Sequence, residues 1–295
     1  MKRTLKTPAR KLAGFALLFV VCAVVASLQA QEPPVSDEIH TRNLWNTAFS
    51  DQRPAAPKPP QVAAALGDSF VGITLWRMRP SKASDPVKFR GLVHDEDPAG
   101  QSDWTPERSS LDTPIASNET VRLSIESARK GYLYVIDRDA YPDGTFSKPE
   151  LIFPTTRLHG GDNRVLPGFL TEIPNAKDKP PAFRVEKTRP DQTGIVLTVI
   201  VAPSPIPGLA VTTNAVKLTE QQVADWERRW GSNVQRLDQS DPGKVYTTAE
   251  AAAAKSGEGA LRAGDPVPST LFRCHASRTE PMLVKVPLKL GAPKP

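Results

Sequence analysis

Three aspartates precede a glycine in a short stretch of turn-forming residues, and their carboxylates are the kind of group that binds a metal ion. Asp137, Asp139 and Asp143 come before Gly144, and clustered carboxylate oxygens are the ligands that Ca²⁺ prefers. The spacing differs from that of an EF-hand loop, and Asp-Gly is itself a common hairpin turn. We interpret the stretch as a turn, with a calcium-stabilised, adhesin-like module as the alternative hypothesis.

A histidine and an aspartate in a glycine-containing loop have the residue types that a hydrolase would use. His159 and Asp162 are separated by two glycines, and a histidine can act as a general base. Such a base needs a nucleophile or a second ligand, yet the sequence offers no serine elbow, His-x-x-x-His or cysteine pair. We interpret the loop as a turn in which Asp162 and Asn163 cap backbone amides. A cell-envelope hydrolase that uses His159 and Asp162 is the alternative.

A cysteine and two tyrosines are the remaining residues whose side chains could take part in catalysis or binding. Cys22 lies in the predicted signal segment, so Cys274 is the one cysteine expected in the mature chain. It lies in a β-like segment, where a lone cysteine is typically a small buried hydrophobic residue rather than a nucleophile. Tyr132 and Tyr134 share one face of a predicted strand. They indicate either an aromatic platform for glycans or peptides or, as we favour, aromatic packing between strands. No catalytic set emerges, and no cofactor is implied.

The elements that position these residues form an all-β pattern between residues 121 and 202. Apolar and polar residues alternate over 121–126, which predicts a half-buried strand. Two other segments, 132–136 and 195–201, are apolar on both faces, as expected of central strands. No amphipathic helix separates the strands, so the pattern predicts an antiparallel β-sandwich rather than βαβ units. A further strand is predicted at 70–76, followed by a long loop or insertion over 77–118.

The last third of the chain has a different pattern. Residues 219–230 predict a helix, with Thr219 as N-cap and an apolar face that should pack against the sheet. A second short helix is predicted at 248–256. Residues 282–290 alternate, with lysine and proline on the outward side, which is typical of an edge strand.

The first thirty residues have the pattern of a secretory signal peptide. Basic residues as far as Lys11 precede an apolar run that ends in small residues, and we predict cleavage after Ala30, with Ala26 as a second candidate. No charged residue falls between Lys11 and Glu32, so an uncleaved membrane anchor is the alternative. The predicted location is exported, either periplasmic or extracellular, with membrane contact only through this segment if it is kept.

The basic net charge does not indicate nucleic-acid binding. The formal charge of the whole chain is +6, but residues 1–30 contain five basic residues and no acid. The remainder is therefore close to neutral, and it has no basic stripe of the kind that binds a polyanion. The charge thus reflects targeting rather than a nucleic-acid partner.

Taken in order, the segments of residues 70–203 resemble the bacterial family known as domain of unknown function 4384. The matching features are 121–126, 131–137, the Asp143-Gly144 turn, 151–154, 162–164, Pro167-Gly168 and the late apolar strand. The resemblance covers under half of the chain. It implies an exported β-rich module, often carried beside unrelated domains, with no established activity and no catalytic residues to transfer. Since no such neighbour is recognised here, a partner would come from another chain.

These patterns predict a mostly β protein with an antiparallel, sandwich-like domain and a small helical, proline-rich carboxy-terminal extension. The function that we predict is an exported, non-enzymatic binding or scaffolding module of the bacterial cell envelope, whose partner is another envelope protein. The predicted segments are a signal peptide at 1–30, an irregular proline-rich lead-in at 31–66, the β-rich domain at 67–203 and the extension at 204–295.

Overall fold

Fourteen strands and two α-helices lie in the part of the chain that the computed structural model describes, namely residues 45, 68–85, 93–95, 102–231, 233–239, 246–255, 260–262 and 264–291. The predicted signal peptide and its cleavage site at Ala30 lie outside these residues. Of the predicted lead-in at 31–66, only Trp45 is described.

The strands differ widely in length and alternate with loops, turns and the two helices. In chain order the strands are β1 (Asp68–Pro80), β2 (Val93–Asp95), β3 (Ser102–Ser109), β4 (Thr120–Ser127), β5 (Gly131–Ala140), β6 (Glu150–Phe153), β7 (Arg164–Val165), β8 (Leu170–Ile173), β9 (Phe183–Arg184), β10 (Gly194–Ala202), β11 (Val216–Lys217), β12 (Val234–Asp238), β13 (Thr270–His275) and β14 (Met282–Lys289). The helices are α1 (Glu220–Trp230) and α2 (Thr248–Ala254).

The first sheet is built around the long strand β1, which is paired on both sides. On one side it pairs with β13 along its first half and with β3 along its second half. On the other side it pairs with β4, which in turn pairs with β8 and β9. Strand β12 lies beyond β13, and β2 lies beyond β3. All of these pairings are antiparallel.

The prediction of a long loop over 77–118 is wrong. Strand β1 continues to Pro80, and the same stretch contains β2 and β3. Strand β3 has no apolar alternation and includes Pro106, so its pattern does not indicate a strand. Its position is fixed instead by antiparallel pairing with β1, in which Pro106 lies opposite Met78.

The second sheet has β5 and β10 at its centre, as their continuous apolar sequences predict. Strand β14 pairs with the free side of β10 and forms one edge, while β6 and β7 pair with the other side of β5 and β11 lies beyond β6. The edge strand exposes Lys285, Pro287 and Lys289. Proline removes a backbone donor and lysine resists desolvation, so this edge discourages pairing with another chain.

The inner faces of the two sheets enclose the main hydrophobic core. Alternate residues of β1 and β4, such as Ile73 and Ile125, pack in one cluster with residues of the second sheet such as Val135, Val199 and Val284. The described part of the chain is therefore mostly β, with two antiparallel sheets in a sandwich-like arrangement, and the predicted fold class is confirmed.

Helix α1 covers the outer face of the second sheet, as its apolar stripe predicts. Its Val223 and Trp226 are buried against Tyr134 and Ile200 of that sheet, and Trp230 packs at the margin of the same cluster. Thr219 accepts a hydrogen bond from the backbone of Gln222, which confirms its role as N-cap. None of the described helices is long and apolar enough to cross a membrane.

The region predicted as a carboxy-terminal extension, 204–295, contributes to both sheets. Strands β12 and β13 belong to the first sheet and β14 to the second. Most of β13 is buried, and β14 buries Met282, Leu283 and Val284 in succession. Both sheets are thus completed by residues that follow position 203.

Candidate functional site

The three calcium candidates do not converge on one point. Asp143 lies in the predicted turn, where Gly144 has φ of 80° and the Asp143 carboxylate accepts hydrogen bonds from the backbone N–H (2.9 Å) and the hydroxyl (2.7 Å) of Thr145. These bonds hold the pKa of Asp143 below its usual value. Among the described residues, no group of three or more acidic, histidine or cysteine side chains is placed to hold a metal ion.

The interpretation of Asp137 and Asp139 as turn residues is wrong, because strand β5 continues to Ala140. They lie two residues apart on this strand and therefore on one face of the second sheet. Asp139 accepts hydrogen bonds from the Thr188 hydroxyl and the Gln192 amide, each at 2.6 Å. The Oδ1 atom of Asp137 is buried and has no hydrogen-bond partner within the described ranges. The pKa of Asp137 is raised to about 7, chiefly because the carboxyl is buried and to a lesser extent because of the negative charges of Asp139 and Glu150.

His159 and Asp162 are occupied by separate structural contacts. The ring Nε2 of His159 contacts the backbone carbonyl of Glu172, and the ring packs edge-on against Phe153 at 5.4 Å. Asp162 instead pairs with Arg164 on the surface, which lowers the pKa of Asp162. The carboxylate nearest to the His159 ring is that of Asp178, at 4.0 Å, and it also accepts a hydrogen bond from the His159 backbone N–H.

The loop around His159 forms the turn that the sequence predicts. Asp162 accepts a hydrogen bond from the backbone N–H of Arg164 at 3.1 Å, which is the predicted cap. Asn163 acts differently from the prediction, since its side-chain amide donates to the carbonyl of Leu133 at 3.0 Å. No sequence pattern indicates Asp178, which lies 19 residues from His159 in a second loop.

The cysteine and the tyrosines are packing residues, as the sequence pattern predicts. Cys274 is buried in the core, and burial raises the pKa of its thiol to about 12. The hydroxyl of Tyr134 accepts a hydrogen bond from the backbone N–H of Ile206 at 3.0 Å, and its ring lies under α1. Tyr132 packs against the same cluster, so these two rings do not form an exposed platform.

A cluster of buried charged and aromatic residues, which the sequence did not predict, lies on the outer face of the first sheet. In the strand registers, Trp76 of β1 lies opposite Arg108 of β3 on one side and opposite Arg122 of β4 on the other. Glu172 of β8 lies opposite Ser124, one position further along the same face of β4. The polar cluster, as we call it, comprises these strand residues together with Tyr246 and Glu250, which cover them.

Arg108 is held between an aromatic ring and a carboxylate. Its guanidinium lies 4.7 Å from the centre of the Trp76 ring, and its Nη2 pairs with Glu250. The two charged side chains are only 1% and 4% exposed. Glu250 also accepts a hydrogen bond from the Thr247 N–H at 2.9 Å and so completes the capping box of α2. This ion pair therefore fixes the start of α2 over the sheet.

Arg122 and Glu172 form the second half of the polar cluster. Their closest charged atoms are 3.8 Å apart, Arg122 Nε donates to the carbonyl of Pro181 at 2.6 Å, and the Tyr246 hydroxyl donates to Glu172. Burial raises the pKa of Glu172 and lowers that of Arg122, and burial with the nearby Glu172 raises the pKa of Tyr246. Trp76 contacts the edge of the Tyr246 ring, with ring centres 4.9 Å apart.

Both arginines retain donors that nothing in the described part of the chain accepts. These are Nε of Arg108 and Nη2 of Arg122, each on a side chain that is nearly inaccessible. A buried donor without an acceptor costs about 1–3 kcal/mol. Planar guanidinium groups beside an indole ring are suited to bind carboxylates and to stack on flat groups. The polar cluster therefore has the chemistry of a carboxylate-recognition site whose arginines are incompletely satisfied.

No protein-family model matches the sequence, and searches of curated proteins and of solved structures give no significant match. The side chains of the polar cluster and their geometry are therefore the basis on which a function can be inferred.

Proposed function

We propose that this protein is an exported, non-enzymatic binding module of the bacterial cell envelope, which recognises another envelope protein through the polar cluster. The observation that carries the proposal is the row of Arg108, Trp76 and Arg122 across three adjacent strands of one sheet face. Buried arginines on a rigid sheet provide fixed, bidentate positions for carboxylate groups.

The contacts of the other candidate residues support a binding role over a catalytic one. The imidazole of His159 contacts a backbone carbonyl, Asp162 is paired on the surface, and the thiol of Cys274 is buried with a raised pKa. A general base must reach the proton that it removes, and a nucleophilic cysteine needs a lowered pKa. Each of these residues is used instead to hold a turn or to fill the core.

The proposal of export and of an envelope role rests on the sequence. The signal-like pattern of residues 1–30 supports export, and the resemblance of residues 70–203 to domain of unknown function 4384 supports an envelope module.

The test is chemical cross-linking of the full-length protein to its partners in cells of the organism that makes it. Truncation after residue 207 is unsuitable, because it would remove β13 from the first sheet and β14 from the second. We would compare the wild-type chain with Arg108→Lys and Arg122→Lys, which keep the charge but lose the planar fork. Arg164→Lys, at an exposed arginine paired with Asp162, is the matched control.

We expect one dominant cross-linked protein that is captured by the wild type and by Arg164→Lys and is lost in both cluster variants. Circular dichroism of each variant would establish that it is folded. Equal capture by all four chains would show that recognition does not use the polar cluster. The absence of any specifically captured protein would contradict the binding function itself.

A further inference from the structure

One short segment supplies the groups that cover the polar cluster. The covering segment, residues 246–254, consists of Tyr246, the N-cap Thr247 and the seven residues of α2. Tyr246 reaches Glu172, and Glu250, four residues later, reaches Arg108. The residue before the N-cap and the third residue of α2 thus present an aromatic hydroxyl and a carboxylate to two adjacent positions of the sheet.

The covering segment is attached by the ring of Tyr246, which is buried with Trp76 and Met78, and by the polar contacts of Tyr246 and Glu250. Apart from Tyr246, its apolar groups are alanine side chains, of which Ala253 packs on Leu170 and Leu261, and Ala251 lies near Trp76. A methyl group buries little surface, so its contribution is small. Helix α1, by contrast, is anchored on the second sheet by Val223 and Trp226. Helix α2 itself has no large apolar anchor, so its position depends on the ion pair of Glu250 more than the position of α1 depends on polar contacts.

These polar contacts give little net stabilisation, because burying charges costs about as much as pairing them returns. The segment also leaves Arg108 Nε and Arg122 Nη2 without acceptors among the described residues. A segment of similar chemistry from a partner protein would then compete with residues 246–254 for the same face on comparable terms.

We propose that residues 246–254 act as an internal ligand of the polar cluster, which a segment of the partner protein displaces. The partner segment would carry an aromatic hydroxyl just before the start of a helix and a carboxylate four residues later in its first turn, as Tyr246 and Glu250 do. The inference rests on the proposed binding function and adds to it the chemistry of the partner and a closed, self-occupied state.

The test uses the full chain and, as the probe, a labelled synthetic peptide with the sequence of residues 246–254. Glu250→Gln removes the charge opposite Arg108 but keeps a side chain that can complete the capping box. The exposed Glu220, in the first turn of α1, provides the matched control Glu220→Gln. Binding is measured by fluorescence anisotropy, and opening of the covering segment is measured by hydrogen exchange of its amides.

For Glu250→Gln we expect hydrogen exchange in residues 248–254 to be at least about tenfold faster, since a charge-assisted hydrogen bond is lost. The peptide should bind this variant at least about tenfold more tightly than the wild type. Adding Arg108→Lys should abolish the gain, and a peptide with glutamine in place of Glu250 should bind weakly. Glu220→Gln should behave as the wild type.

A second variant keeps the inference testable if Glu250→Gln does not fold. Thr247→Ala weakens the start of α2 without touching Arg108, and it should increase exchange and peptide binding in the same direction. Unchanged exchange in both variants, or equal peptide binding by the wild type and Glu250→Gln, would overturn the internal-ligand inference while leaving the proposed binding function intact. Faster exchange with no peptide binding to either variant would instead count against carboxylate recognition by the polar cluster.

Discussion

Replacing Asp137 by asparagine should stabilise the fold at neutral and alkaline pH. The native structure raises the pKa of this carboxyl from 3.8 to about 7, chiefly through burial and then through the charges of Asp139 and Glu150. Between these two pH values the native state binds more protons than the unfolded state, so the free energy of unfolding falls as the pH rises. Across this window the penalty is at most roughly 4 kcal/mol, at about 1.4 kcal/mol per pKa unit.

The expected gain is smaller than this limit, because the side chain of Asp137 keeps partial contact with solvent, which screens its charge. We expect Asp137→Asn to raise the free energy of unfolding by about 1–3 kcal/mol at pH 8 and to have little effect near pH 4. Urea unfolding at pH 4, 6 and 8 would measure both chains. Asp191→Asn, at an exposed carboxylate paired with Arg189, is the control and should change little at pH 6 and 8. An effect of Asp137→Asn that is the same at every pH, or a loss of stability at pH 8, would refute the reasoning.

Three other substitutions or reactions examine the packing of the fold. Trp226→Ala should lower the free energy of unfolding by about 3–5 kcal/mol in a denaturant titration, because it removes the side chain that packs α1 against the second sheet and leaves a cavity there. A loss below about 1 kcal/mol would mean that this side chain does not anchor α1. Gly131→Ala should lower the melting temperature markedly, since its Cβ would lie 2.5 Å from the backbone oxygen of Ala202, and an unchanged melting temperature would contradict that contact. In a chain that begins at residue 31, and so lacks Cys22, Cys274 should resist iodoacetamide at pH 8 until denaturant is added, because burial raises its pKa to about 12. Rapid labelling of this native protein would disprove the burial of Cys274.

The strands that could be predicted are those with a periodic or continuous apolar sequence. The apolar pattern of the sequence identifies strands β4, β5, β10 and β14 and helix α1, because each of them buries one or both faces in the core. It does not identify strand β3, whose side chains are mostly polar and which is defined by its backbone pairing with β1. The contribution of residues 204–295 to the two sheets could not be predicted either, because β1 pairs with β13 and the paired residues are about 200 positions apart in the sequence.

The polar cluster could not be predicted for a related reason. In residues 121–126, Arg122 and Ser124 alternate with apolar residues, which is the usual pattern of a face that meets water. Their burial depends on residues 246–254, and the pair between Arg108 and Glu250 spans 142 positions. Sequence periodicity reports the local alternation of side chains, whereas a distant segment that covers a face leaves no periodic signal.

The two outer faces of the sandwich suggest why the polar cluster exists. The second sheet is covered by α1 through an apolar cluster, and apolar packing stabilises a fold at least as well as buried ion pairs of similar volume do. The first sheet is covered over Trp76 through buried arginine and glutamate side chains, which replace apolar residues at no clear gain in stability. Within one molecule the same structural task is thus solved in two ways. The solution with charged groups is the one that can discriminate between segments competing for that face, since a buried arginine rejects a segment without a matching carboxylate.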